Sequence, residues 1–185
     1  MKPDYKNWVP RGLLFLLGGM AIICLALCIV FGMAGVATEG GLRIALGVLF
    51  GAAFLLFAVL TGIFANMYCA FSYHGKKQVS KRVIEGIAQY VALSDGGKGL
   101  DVGCGSGALT IACAKRNPRA QMVGIDRWGK EYASFNLPLC ERNAEAEGVE
   151  NVSFIRGNAI KLDFPDEMFD AVIGAYDADG ELIWS

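Results

Sequence analysis

Three alternating glycines, Gly103, Gly105 and Gly107, follow an apolar run and a carboxylate in the string Gly99-Leu100-Asp101-Val102-Gly103-Cys104-Gly105-Ser106-Gly107. Glycine lets a backbone turn sharply and approach a ligand closely. The next nine residues, 108–116, read as a helix, so the turn opens onto a helix N-terminus with its unpaired N–H groups. A second carboxylate, Asp126, closes the apolar run Val123-Gly124-Ile125. In a doubly wound sheet the end of the second strand lies beside the first glycine turn, at the edge where ligands bind. A carboxylate there can accept both hydroxyls of a ribose. The plainer role for Asp126 is a helix cap. Together these residues indicate recognition of a nucleotide-like ligand.

Two ligand classes fit. Gly103, Gly105 and Ala108, with an acid about twenty residues on, meet a relaxed dinucleotide fingerprint that a nicotinamide-dependent oxidoreductase would use. The fuller string, Asp101-x-Gly103-x-Gly105-x-Gly107, is more specific. It resembles motif I of the class I S-adenosylmethionine-dependent methyltransferases. The later stretch Gly157-Asn158-Ala159-Ile160-Lys161-Leu162-Asp163-Phe164-Pro165-Asp166-Glu167-Met168-Phe169-Asp170 is similar to that family's GDA-x-x-LPFPD-x-x-FD, a form common in the branch that methylates quinones and other small molecules. The resemblance covers roughly residues 77–174, with three motifs in order.

The resemblance implies a cofactor, S-adenosylmethionine, and a set of cofactor-binding positions: Asp101, Gly103, Cys104, Gly105, Gly107, Asp126, Asn158 and Ala159. Asp101 would orient the turn and the methionine part of the cofactor. The glycines would pass beneath it, Asp126 would take the ribose, and Asn158 and Ala159 would sit by the adenine. The family has Asp where this chain has Asn158. A neutral amide carbonyl accepts a weaker hydrogen bond than a carboxylate, so reduced affinity is expected. The implied reaction is in-line methyl displacement, for which positioning supplies much of the catalysis. No catalytic base is required. Asp170 reads as structural, and the single histidine, His74, as an interfacial residue rather than a base.

The elements that position this site alternate. Residues 79–93 carry apolar side chains at helical spacing. Strands are expected at 99–104, 121–126, 152–156 and 169–174. Helices are expected at 109–116 and over 130–147, the latter kinked or divided at Pro138. The fold class is therefore α/β, a Rossmann-like doubly wound parallel sheet of about four strands. The family's sheet has seven, and the family's acceptor-binding residues follow the fourth. The chain thus reads as truncated, the cofactor-binding half of a methyltransferase. A non-catalytic membrane protein whose soluble part is a partner-binding module is the alternative.

Composition adds an appendage. Apolar residues make up 54% of the 185 residues and charged residues 19%, and the excess sits at the N-terminus. Residues 12–37 carry no charge, and neither do 44–74. At about 1.5 Å per residue each run can cross a hydrocarbon core of roughly 30 Å. Two transmembrane helices, 13–36 and 44–67, are expected as an antiparallel hairpin within a membrane anchor of residues 1–73. The methyltransferase part is 74–185. A signal peptide is disfavoured because its apolar region spans only about 7–15 residues. The Leu25-Ala26-Leu27-Cys28 string resembles a lipoprotein site, but leucine before the cysteine is wrong for one.

Lys2, Lys6 and Arg11 precede the first span, and Lys76, Lys77, Lys81 and Arg82 follow the second. The positive-inside rule then puts both termini and the methyltransferase part on the cytoplasmic side of the cell membrane. The expected partners are the lipid bilayer and a small-molecule or lipophilic acceptor. The net charge of −1 argues against nucleic acid. Gly47-x-x-x-Gly51 has the spacing of close membrane-helix packing, in the hairpin or in a dimer, although glycine is common enough in such helices for chance to produce it. The six cysteines have no metal-ligand spacing and read as small buried hydrophobes.

Overall fold

The computed structural model describes residues 1–36, 38–129 and 134–174. The chain divides into two compact units, Asn7–Val79 and a second made of Met1–Lys6 with the residues from Ser80 onward.

The first unit holds two long apolar helices. Helix α1 (Arg11–Leu27) continues into a π-helical turn, Cys28–Met33, and α2 spans Gly40–Phe71. Both are long and apolar enough to cross a membrane. Helix α2 starts four residues before the apolar run does. Arg43, in its first turn, donates to the carbonyls of Gly32 and Met33 at the end of the π turn. A cation at a helix C-terminus satisfies orphan carbonyls and complements the dipole. Gly47 and Gly51 face the other helix of the same hairpin. A Cβ on Gly32 would meet the Gly47 Cα at 2.6 Å, and one on Gly51 would meet the Cys28 Sγ at 3.7 Å. The small-residue spacing, for which chance was the plainer reading, thus lets two backbones touch.

The second unit is built on a sheet of four parallel strands, ordered β3-β2-β1-β4, with β1 at Lys98–Val102, β2 at Gln121–Asp126, β3 at Val152–Arg156 and β4 at Ala171–Gly174. Helix α3 (Val79–Ala88) leads into it, α4 (Ala108–Arg116) joins β1 to β2, and α5 (Leu137–Glu147) joins β2 to β3. Period-two alternation sorts the strand residues onto two faces. Met122 packs with Ala88, Cys113 and Ala114 on one face. Leu100, Val102 and Ile125 pack on the other against Leu162, Phe164 and Phe169, so the 157–170 stretch covers that face without a helix among the described residues.

Two expected helices are shorter than their patterns suggest. Helix α3 ends at Ala88 rather than Leu93, because Asn117 draws the following backbone away: its side chain accepts from the Leu93 N–H and donates to the Val91 carbonyl. Helix α5 begins at Leu137, leaving residues 134–136 of the expected helix outside it. Asn136 is its N-cap, accepting from the Leu139 N–H at 2.9 Å. Pro138 therefore lies in the first turn, where a missing N–H costs nothing, and causes no kink. Residues 130–133 of that expected helix lie outside the described residues. Asp170 is structural: its backbone N–H and its carboxylate both engage Lys98 at the start of β1, each at 2.8 Å.

Candidate functional site

Strand β1 ends by turning back on itself. Gly103, Gly105 and Gly107 all have positive φ, at 79°, 56° and 78°. Residues with a Cβ are strained there, which is why the turn needs glycine at each of the three positions. The Gly103 and Cys104 N–H groups both donate to the Ile125 carbonyl, at 2.8 and 3.0 Å, so the turn is pinned to β2. The Gly107 N–H closes it by donating to the Cys104 carbonyl at 2.8 Å. Gly107 also lacks room: an added Cβ would meet the Phe154 ring at 2.8 Å.

Asp126 is joined to this turn directly. Its Oδ2 accepts the Gly105 N–H at 2.9 Å, and its Oδ1 accepts the Trp128 N–H at 2.7 Å. A carboxylate has about four lone-pair sites, so two stay available for hydroxyl donors. Trp128 completes the link by donating its indole N–H to the Gly105 carbonyl at 2.9 Å. The cavity beside this carboxylate has a volume of about 280 Å³. Gly103, Ile125, Asp126, Gly157, Asn158 and Ala159 are among its walls. That is close to the lower end of small-molecule sites, roughly 300–1,000 Å³.

Four of the expected positions, Gly103, Asp126, Asn158 and Ala159, thus share one cavity. Asn158 is exposed, and its side-chain carbonyl accepts the Ile160 N–H at 3.1 Å in a local turn. Gly105 reaches the cavity through Asp126. Gly107 supports the turn from the Phe154 side.

Asp101 and Cys104 lie in the protein interior. Asp101 is 3% exposed and accepts the Thr110 hydroxyl at 2.6 Å. Burial pushes its carboxyl up from 3.8 to about 6, against the lowering effect of the Thr110 hydroxyl and N–H. This carboxyl therefore ties β1 to the first turn of α4 and orients the glycine turn from beneath. The hydrogen bond with Cys140 and burial push the Cys104 thiol up, which makes it a packing residue rather than a nucleophile.

Trp128, Thr110, Phe154 and Asn143 complete the architecture of the turn. Thr110 and Phe154 flank Gly124, whose missing side chain leaves them space at 2.9 and 2.8 Å. Asn143, 2% exposed on α5, donates to the Ser106 carbonyl at 3.0 Å. Glycine within a strand is a known mark of close approach, so Gly124 carried a signal for Phe154. No local pattern signals Trp128 or Asn143.

Residues 93–178 match a family model described as a methyltransferase domain. The chain carries a class I S-adenosylmethionine-dependent methyltransferase domain. Its relatives include a demethylmenaquinone methyltransferase of Geobacillus stearothermophilus, 40% identical over 78 residues that make up 42% of this chain and 31% of the relative. A demethylmenaquinone methyltransferase of Thermus thermophilus is 40% identical over 77 residues, 42% of this chain and 32% of that one. A sterol 24-C-methyltransferase of Aspergillus fumigatus is 33% identical over 87 residues, 46% of this chain and 22% of its own. The chain therefore spans about a third or less of the length of these relatives. Among solved structures, the YcgJ protein of Bacillus subtilis has a TM-score of 0.43 at 28% identity, covering 52% of this chain and 38% of that one. The methyltransferase domain thus includes the glycine turn, Asp126 and the 157–170 stretch.

Proposed function

We propose that this chain carries the cofactor-binding part of a membrane-anchored methyltransferase that acts on a small lipophilic acceptor. The observation that carries the reading is the Asp126 carboxylate. It is anchored to the Gly105 amide at 2.9 Å and lines the same cavity as Gly103, Asn158 and Ala159. The two remaining acceptor sites on Asp126 suit a ribose diol. The open glycine backbone suits a ligand lying across it. Asn158 and Ala159 suit an adenine edge, more weakly than an aspartate would.

When bound, S-adenosylmethionine supplies a methyl group on a sulfonium, a good leaving group. The residues here bind and orient. Asp126 fixes the ribose end, the turn fixes the approach, and buried Asp101 holds the turn against α4. Positioning of this kind lowers the barrier without a protein base.

Two observations support a lipophilic acceptor at a membrane. The relatives named above act on a menaquinone precursor or a sterol. The Asn7–Val79 unit holds two apolar helices of spanning length, and α2 has no buried residue. Basic residues at both flanks support a cytoplasmic side for the methyltransferase domain.

Isothermal titration of the full chain in detergent micelles with S-adenosylhomocysteine tests the reading. Saturable binding at a single site is expected, with the Asp126→Ala variant at least 100-fold weaker. A folded chain that takes up no ligand overturns it.

A further inference from the structure

The first six residues do not belong with the apolar helices that follow them. Met1–Lys6 is part of the same compact unit as the methyltransferase domain, although 73 residues, Asn7–Val79, separate the two in the chain. Tyr5 is 3% exposed, and its hydroxyl donates to Glu147 near the end of α5 at 3.2 Å. Glu147 also pairs with Lys115 of α4. The Asp4 N–H donates to the Asn143 side-chain carbonyl at 2.7 Å, and the Asn143 amide donates back to the Asp4 carbonyl at 3.1 Å. Asp4 shapes this segment locally by accepting the Lys6 N–H and pairing with the Lys6 ammonium at 2.5 Å.

Asn143 spends its remaining N–H on the glycine turn, at the Ser106 carbonyl. Three of its four hydrogen-bonding sites are thus filled, two by the N-terminal segment and one by the turn. A neighbouring residue of α5 repeats the pattern: the Cys140 thiol donates to the Gly105 carbonyl at 3.2 Å. The N-terminal segment, α5 and the turn are therefore one connected polar system, most of it buried, where a lost partner is costly.

We infer that Met1–Lys6 is a strap that sets the cofactor turn, with Asn143 as the positioning residue that relays it. With the strap seated, the Asn143 amide is fixed in the orientation that holds Ser106. With the strap released, Asn143 gains solvent and rotamers, and the Gly105–Ser106–Gly107 backbone loses the Asn143 restraint and keeps only the Cys140 bond from α5. The inference rests on the reading of the turn as a cofactor site, but its structural arm stands apart from it.

The test uses the full chain in detergent micelles and two variants that release the strap by different routes. One deletes residues 2–6. The other is Asp4→Pro, which removes the N–H that reaches Asn143 and, with the carboxylate, the two local contacts to Lys6. Hydrogen exchange reports the Gly105, Ser106 and Gly107 amides (turn restraint), and nitration of the buried Tyr5, located by mass spectrometry, reports strap release in the substituted chains. Titration with S-adenosylhomocysteine reports binding, and thermal melting reports the fold. Expected are exchange at the turn at least tenfold faster and a dissociation constant about tenfold weaker, at a temperature where the domain stays folded. An Asn143→Asp variant, which keeps the acceptor and loses the donor, should behave the same with the strap still docked. Turn exchange within twofold of the parent after strap release overturns the inference. If the parent chain takes up no S-adenosylhomocysteine, the cofactor reading fails instead, and the exchange arm still decides the strap.

Discussion

The Oδ2 of Asp126 accepts the N–H of Gly105 at 2.9 Å across 21 positions of sequence. The carboxylate that would hold a ribose is also a strut of the turn beneath it. Binding and preorganisation are therefore not separable at this residue. Asp126→Ala should weaken S-adenosylhomocysteine binding by 100-fold or more, because it removes both the ligand contacts and the charge-assisted bond to Gly105. Losing that bond alone is worth about 1.5–3 kcal/mol. Asp126→Asn, with one acceptor kept, should lie between. Titration of the two variants side by side checks the order.

The glycines of the turn should differ in what they tolerate. Gly107→Ala places a Cβ 2.8 Å from the Phe154 ring at a φ of 78°. Clash and backbone strain together should cost about 3 kcal/mol or more. Gly105→Ala meets nothing closer than 4.0 Å and carries only the strain of its positive φ, about 1–2 kcal/mol. Phe154→Leu should rescue part of the Gly107→Ala loss and none of the Gly105→Ala loss. Thermal melts of the four chains decide the matter.

Buried Asp101 has a stability cost that depends on pH. Its carboxyl lies at about 6 in the fold against 3.8 unfolded, so the folded state holds the proton more tightly. Its contribution is most favourable below pH 4 and is lost as pH rises through 6, a difference of about 2–3 kcal/mol. Asp101→Asn keeps an acceptor for Thr110 and removes the charge. It should be at least as stable as the parent at pH 7.5 and should lose the decline between pH 4 and pH 6. Denaturant titrations at those three pH values check this.

The hairpin makes its own prediction. A Cβ on Gly51 would lie 3.7 Å from the Cys28 Sγ of the same chain. In a chain lacking Cys24 and Cys69, Gly51→Cys should form an internal disulfide with Cys28 under mild oxidation. The product would be a monomer on a non-reducing gel. A covalent dimer would instead assign the glycine face to contact between two chains.

Much of this was readable where burial and local chemistry coincide. Strand β2 ends where the apolar pattern ends, because a central parallel strand is covered on both faces, whereas edge strand β3 buries only Phe154 and was marked by its β-branched and aromatic residues. Positions 103, 105 and 107 announced the turn because a positive φ selects glycine. Helix bounds were less legible. Asn117 and Asn136 set the limits of α3 and α5 through side-chain hydrogen bonds, and periodicity carries no record of those. Trp128 and Asn143 were silent in the sequence for the same reason: their roles rest on partners 23 and 37 or more positions away.

The bonds between Asp4 and Asn143 join positions 139 apart. Synthesis runs from the N-terminus, so the first six residues leave the ribosome before any of the surface that seats them. In the membrane reading, both apolar helices are complete by then, and the basic residues have chosen a side while the seat does not yet exist. Two crossings return the chain to the side it started from, so in either orientation the strap and the nascent methyltransferase domain share a compartment. In that reading, docking requires an even number of crossings whatever their direction: a chain with one of the two spans left out of the bilayer could not seat its own strap.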